Sequence, residues 1–368
     1  MAFVPNNLPP KIDWTPEMVA ALSDANLVIG RLDGIGLNLP NPNLLLTPFI
    51  RREAELSSRI EGTVATMQQL YLFEVESGQQ RIESEVPDVR EVSNYVRAFE
   101  FGLKRLNDLP VCLRLTRELH DILLRNVRGE QRMPGQFRAI QNWLGSPGSL
   151  MKQASYIPPP PEQMILALDA FEKFINEPLN NISPLVWIAM VHYQFEAIHP
   201  FLNGNGRIGR LLITLLMCAK DILDQPLLYL SAFFERNRQE YYHRLLRVST
   251  HGEWKEWILF FLQGVREQST DVFERSRQLL DLQQRYHKMA TSKRSALQIR
   301  LLDLLIERPI VTTVFISRYF DVTYPTAKNN IAKLVERDIL RPLTGAKRNR
   351  VYVGHEVLEI INKPFAKT

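Results

Sequence analysis

His199-Pro200-Phe201-Leu202-Asn203-Gly204-Asn205-Gly206-Arg207-Ile208-Gly209-Arg210 decides the reading of this chain. Within twelve residues it sets an imidazole, a glycine-rich turn and two guanidiniums. The apolar run Leu211 to Met217 follows and is of good helix length when continued to Lys220. A turn that opens into a helix aims several backbone N–H groups at one spot, where the positive end of the helix dipole also lies. Gly204 and Gly206 allow close approach of a ligand and positive φ. A Gly-Asn-Gly alone reads as a plain turn. With a histidine before it and arginines after it, the natural ligand is a phosphate chain with a base beside it.

The stretch resembles the signature of the Fic family, His-Pro-Phe-x-(Asp/Glu)-Gly-Asn-Gly-Arg-x-x-Arg. Eleven of the twelve positions fit, counting the variable ones. Members of that family move AMP from ATP onto a hydroxyl of a target protein and release pyrophosphate. The resemblance implies that His199 is the general base and that the N–H groups around Gly204, Asn205 and Gly206 cradle the α- and β-phosphates. Arg207 would neutralise the β-phosphate and Arg210 would hold the γ-phosphate. A free histidine titrates near pH ~6.5, so its neutral form is available at cellular pH. The departure is Asn203, where the family carries an acid that ligates Mg²⁺. An amide oxygen can ligate a hard cation but brings no charge, so a weak Mg²⁺ site held largely by the ATP phosphates is expected.

Ser57-Ser58-Arg59-Ile60-Glu61-Gly62 lies in a stretch, about 48–73, with helical spacing of apolar residues. Ser57 and Glu61 are four apart and share a helix face, and Gly62 is read as leaving room behind them. The stretch resembles the Fic inhibitory motif (Ser/Thr)-x-x-x-Glu-(Gly/Asn). That implies that Glu61 pairs with Arg210 and competes for the γ-phosphate, with the inhibitor on an N-terminal helix of the same chain. In some relatives the same acid supports AMP removal by positioning water, so both directions stay open.

Between the two motifs, Gln136 to Pro161 is rich in Gly and Pro and reads as a short hairpin or a Pro-stiffened surface loop. In Fic proteins a flap here registers the target by main-chain pairing, which makes Gln153, Ala154, Ser155 and Tyr156 its expected contacts. Downstream, the segment around Tyr241 and Tyr242 resembles the lining of the family's adenine site. Tyrosines at helical spacing also serve as plain core, and both readings stay open. His120, His192, His243 and His251 lack metal-ligand spacing and read as structural or surface residues.

The 368 residues, 45% hydrophobic and 23% charged, suffice for two or three domains with real cores. No apolar run reaches the roughly twenty residues that span a bilayer, and the N-terminus shows no signal-peptide pattern, so a cytoplasmic protein is expected. Cys112 and Cys218 sit in apolar helical patterns and read as reduced packing residues. Helical periodicity dominates, with stretches at 48–73, 88–106, 114–126, 161–176, 184–197, 208–220, 239–249 and 253–288. The first 47 residues, rich in Pro and Asn, read as a segment that wraps around the helical body. Asp88-Val89-Arg90-Glu91-Val92-Ser93-Asn94-Tyr95 looks like a region common to many bacterial Fic proteins.

From Thr291 to Thr368 the chain carries 14 Lys and Arg against 7 Asp and Glu, a net +7 that exceeds the whole chain's +5. The pattern there, helix, helix at Thr312–Phe320, helix at Thr323–Arg337 and a hairpin from Ile339 to Val353, resembles a winged helix. Lys347, Arg348 and Arg350 would lie on its wing. Such a face fits DNA phosphates or, equally, protein contacts and dimerisation. The expected fold is therefore mainly α: a Fic-type helical bundle with a small β-hairpin flap and a C-terminal winged helix-turn-helix domain. The expected division is 1–107 N-terminal with the inhibitory helix, 108–268 catalytic core, 269–294 helical connector and 295–368 winged helix. The expected function is AMP transfer from ATP to a Ser, Thr or Tyr hydroxyl, autoinhibited by Glu61. The alternative is a DNA-binding regulator whose Fic body binds nucleotide without transfer. ATP and a protein target are the expected partners; DNA and a second copy of the chain are further candidates, and a membrane is not.

Overall fold

The computed structural model describes residues 2–37, 41–77, 87–145, 150–179, 182–289, 296–343 and 350–364. Its centre is α7 (Pro184–Ile198), apolar on all sides and buried at thirteen of fifteen positions. A helix of that kind has no solvent face and becomes the axis of a bundle. Ser183-Pro184 starts it, with Pro at the first helical position, where a missing N–H costs nothing. Against it pack α8 (Asn205–Ala219), α6 (Pro161–Asn176), α10 (Arg238–His251) and the long α11 (Trp254–Met289). The Pro158–Pro161 run enters α6 as the composition suggests.

The remaining helices cover this axis. α2 (Asn43–Ile60) contacts α4 (Pro87–Arg105), α8 and the short α9 (Ser231–Arg236), while α5 (Leu113–Leu124) pairs with α4. Cys112 does more than pack: its sulfur accepts from Leu115 N–H at 3.5 Å and caps α5. The helical stretch expected over 48–73 is in fact two helices. α2 ends at Ile60 and α3 begins at Met67. Gly62 adopts φ +91°, Thr63 N–H reaches Ser58 O at 3.1 Å and Gly62 N–H reaches Arg59 O at 3.0 Å. These bonds form the Schellman closure, which needs a left-handed residue at that position. The N-terminal segment also departs from expectation. It contains α1 (Pro16–Leu37), whose Met18, Ala25, Ile29 and Leu32 bury against α11.

At the C-terminal side, α12 (Ala296–Glu307), β1 (Ile310–Thr312), α13 (Thr313–Tyr319), α14 (Tyr324–Glu336), β2 (Arg341–Pro342), β3 (Val351–Val353) and α15 (His355–Asn362) follow in order. The strands form an antiparallel sheet β1-β3-β2 with Ile310 opposite Val353 and Arg341 opposite Val353. The three expected helices and the paired strands are present; β1 and α15 had no signal strong enough to read. Lys347, Arg348 and the turn Thr344-Gly345-Ala346 lie outside the described residues. α11 runs unbroken through 268–269, and its Val272, Ser276, Leu279, Leu282 and Tyr286 are buried. The stretch expected as a connector is thus a spine shared by both parts. The C-terminal unit sits on α2 and α3: Asn41 Nδ2 donates to Glu307 Oε1 at 2.9 Å, and Arg51 and Arg308 share Glu74 at 3.0 and 3.2 Å. Among the described residues no helix is long and apolar enough to cross a membrane.

Candidate active site

His199 ends α7 in the left-handed conformation, φ +51°, and so turns the chain away from the helix axis. The turn is clamped by Arg138, a buried residue that sequence reasoning missed. Its Nε donates to His199 O at 2.9 Å, Nη2 to Pro159 O at 2.5 Å, and its N–H to Pro200 O at 2.9 Å. His199 Nδ1 lies 3.3 Å from Glu196 O. A carbonyl only accepts, so Nδ1 carries the proton and Nε2 presents its lone pair. Burial pushes the imidazole down to about 4, against the weaker upward pull of the Glu196 carbonyl. The ring is thus neutral at cellular pH, as expected, and stays neutral well below the ~6.5 of an unperturbed histidine. The acid limb of kcat/KM, which reports the free enzyme, is therefore expected below the ~6.5 of an unperturbed histidine. A midpoint at or above that value in a pH–rate profile contradicts it.

The loop between α7 and α8 is braced by its own side chains. Asn205 Oδ1 accepts from Phe201 N–H and its Nδ2 donates to Phe201 O, both at 2.8 Å. His120 stacks on Phe201 with centroids 3.7 Å apart and 7° between planes. Its Nδ1 accepts from Gly135 N–H at 2.9 Å, so Nε2 is the donor to Asn203 O at 2.9 Å. Burial lowers His120 to about 4, which keeps that tautomer neutral. The histidine read as structural is thus a brace of the loop.

Gly204, φ +79°, caps α8, and the first ladder bond runs from Ile208 N–H to Gly204 O at 3.1 Å. The N–H groups of Asn205, Gly206 and Arg207 precede that ladder and point from the helix mouth. The N–H of Gly204 is already spent on Asn203 Oδ1 at 2.8 Å, so it drops out of the expected cradle in this state. The same bond engages the one oxygen Asn203 could offer to a cation. Among the described residues no group of three or more His, Cys, Asp or Glu side chains converges as a protein-held metal requires. A divalent ion here would be held mainly by substrate phosphates, with Asn203 as a neutral ligand at most.

Arg210 is buried. Its Nε donates to Ser57 Oγ at 2.9 Å, and Nη2 donates to Ser57 O and to Glu61 Oε1, both at 2.8 Å. Partial desolvation raises the Glu61 carboxyl, whose side chain is 34% exposed, but the Arg210 guanidinium outweighs it and holds the group below its ordinary range. A Cβ at Gly206 would lie 2.3 Å from Glu61 Oε1 and 2.9 Å from Arg210 Nη1. Gly206 does not take positive φ; it leaves the notch into which Glu61 docks. Gly62 is the reverse case. A Cβ there would meet nothing within 4 Å, so that glycine supplies backbone freedom and not the room expected of it.

Three further acids and a cation were not anticipated. Glu91 on α4 accepts from Arg207 Nη1 at 3.3 Å and from Arg128 Nε at 3.0 Å. Glu196 fills a notch at Gly209, and burial pushes its carboxyl up to about 8. Glu53, likewise raised by burial to about 7, accepts from Tyr95 OH at 3.1 Å. None has a spacing that marks it in sequence, because each partner lies on a distant element.

The expected adenine and flap contacts are redistributed. Tyr241 is 1% exposed, stacks on Phe234 at 4.4 Å and bonds His192 through its hydroxyl at 2.8 Å, so it is core. Tyr242 is 40% exposed and packs on Tyr241 at 5.3 Å, which leaves it as the available face. The flap reduces to one antiparallel bridge, Leu144 opposite Tyr156, and residues 146–149 lie outside the described residues. Gln153 sits in a single 3-10 turn, Met151–Gln153. The N–H groups of Gln153, Ala154, Ser155 and Tyr156 bond Leu150, Met151 and Leu144 carbonyls, so none is offered to a target strand. Tyr156 OH donates to Ala197 O at 2.8 Å and anchors the loop on α7.

The family model of the Fic/DOC N-terminal region matches residues 19–104, and that of the Fic/DOC family matches residues 110–217. The protein adenylyltransferase Fic of Drosophila grimshawi is 29% identical over 187 residues, 49% of this chain and 35% of that protein. Its Drosophila melanogaster counterpart is 28% identical over 187 residues, 49% of this chain and 34% of that protein. The chain thus spans about a third of the length of these relatives. A Fic family protein from Desulfovibrio desulfuricans G20 superposes with a TM-score of 0.58 at 18% identity, covering 94% of this chain and 98% of that one. Fic-1 (aa134–508) of C. elegans gives 0.53 at 21%, covering 72% and 74%. These likenesses show a shared fold.

Proposed function

The chain belongs to the Fic/DOC family, and from that premise we propose that it is a protein adenylyltransferase that moves AMP from ATP to a Ser, Thr or Tyr hydroxyl of another protein. The observation that carries the reading is the meeting of His199, the unladdered N–H groups at the mouth of α8 and the paired Arg210 and Glu61 in one place. His199 Nε2 takes the hydroxyl proton as the target oxygen bonds the α-phosphorus. The bond from that phosphorus to the β-bridging oxygen breaks, and the pair of electrons leaves on pyrophosphate. Charge grows on phosphoryl oxygens in such a step, so fixed N–H donors and guanidiniums supply most of the stabilisation. Tyr242 offers the stacking face for adenine. In the present conformation Glu61 occupies the arginine that the γ-phosphate needs, so this is the restrained form.

Mg²⁺ enters this scheme with ATP as substrate, and Asn203 contributes at most a neutral oxygen after giving up its bond to Gly204. Asn203→Asp adds a negative charge at that point and is expected to tighten Mg²⁺ binding in the presence of nucleotide by about tenfold. A Mg²⁺ titration that leaves the affinity unchanged contradicts the assignment. The reaction itself is tested with ATP labelled at the α- or the γ-phosphate, with the Glu61→Gly chain and candidate target proteins. Label on protein from α only supports AMP transfer. Label from γ only indicates a kinase, and label from neither removes the reading.

A further inference from the structure

One stripe of α4 carries Asp88, Glu91, Asn94 and Tyr95, spaced so that they share a helix face. Each ends on a different element. Asp88 Oδ2 accepts from Val64 N–H at 2.6 Å, Asn94 Nδ2 donates to Arg125 O at 2.7 Å, and Tyr95 reaches Glu53. Glu91 holds the centre. Its Oε2 accepts from Thr63 Oγ1 at 2.8 Å and Arg207 Nη1 at 3.3 Å, and its Oε1 accepts from Arg128 Nε at 3.0 Å. Glu91 is 4% exposed and Arg207 3%.

A carboxylate this buried persists only because it is paired and bonded on both oxygens. The guanidinium facing it is not fully used. Arg207 Nε is buried with no partner among the described residues. An orphaned donor on a buried cation, on the same helix mouth as the free N–H groups, is a place for an anionic acceptor.

We propose that Glu91 is a positioning residue for nucleotide binding: it grips the Nη1 edge of Arg207 and so presents the Nε edge to the β-phosphate. The proposal rests on the AMP-transfer reading above. A guanidinium is a rigid planar fork, so fixing one edge fixes the direction of the other. A pre-oriented donor also loses less side-chain freedom when the ligand arrives.

The test uses the full chain carrying Glu61→Gly, titrated calorimetrically with AMP, ADP and ATP. Adding Glu91→Gln is expected to weaken ADP and ATP by about tenfold, the worth of one charge-assisted bond, and to leave AMP unchanged, since AMP has no β-phosphate. If Glu91→Gln does not melt cooperatively, Glu91→Asp serves, since it keeps the charge and retreats by one methylene. No change in any of the three, or an equal loss in all three, overturns the proposal; the second outcome marks a merely structural role. If the parent chain itself binds ADP and ATP no better than AMP, the AMP-transfer reading fails and this inference with it. A parent that prefers ADP and ATP, with no selective loss on changing Glu91, sinks this inference alone.

Discussion

His199→Ala, made in the Glu61→Gly chain, is expected to lower AMP incorporation by about 10²–10⁴-fold, the usual worth of a positioned general base. ATP affinity should change little, because no phosphate contact is assigned to the imidazole. The Glu196 carbonyl fixes the tautomer, Arg138 fixes the backbone of His199, and burial keeps the ring neutral. Each of the three serves proton acceptance at Nε2. Single-turnover incorporation of α-labelled ATP gives the rate, and equilibrium binding gives the affinity. A residual rate within tenfold of the parent would show that the target hydroxyl loses its proton elsewhere.

Glu61→Gly is expected to raise AMP incorporation by about 10–100-fold. Arg210 is buried, and its Nη2 is shared between Ser57 O and Glu61 Oε1. A charge-assisted bond of this kind contributes about 1.5–3 kcal/mol, and ATP must overcome it to reach the guanidinium. Removing the carboxylate also empties the notch at Gly206, beside the free N–H groups of α8. Glu61→Gln keeps the shape and removes the charge, so it should fall between the two. Equal rates in parent and Glu61→Gly remove the claim that this carboxylate restrains the chain.

What the sequence made legible was local. The stretch from His199 to Arg210 is a turn and a helix start, both written in consecutive residues, and α7 and α8 formed as their spacing implied. Ser57 and Glu61 reach Arg210, although they are distant in sequence, because a known motif links them. Glu91, Arg138 and Glu196 carry no such mark. Their partners come from tertiary packing, and one carboxylate on an amphipathic helix looks like any other. α1 was missed because its exposed Val19 and Leu27 blur the apolar stripe. Gly62 was assigned the wrong job: space and left-handed backbone both call for glycine, and only the dihedral angle separates them. Tyr241 and Tyr242 are neighbours that parted into core and surface, a choice made by the rotation of α10 against α7 and α11.

Glu61 stands at the very end of α2, after the last hydrogen-bonded turn, and not in the middle of a longer helix. A carboxylate inside a packed helix could leave Arg210 only if the whole element slid across its neighbours. A terminal one needs no more than the opening of the closure at Glu61 and Gly62, both exposed, while Ile60 stays in the core. Ser57 lies one turn before that closure and holds Arg210 through both its hydroxyl and its carbonyl, so the arginine keeps two partners when the acid departs. If Glu61 restrains the chain as proposed, the restraint lifts without disturbing the body around it.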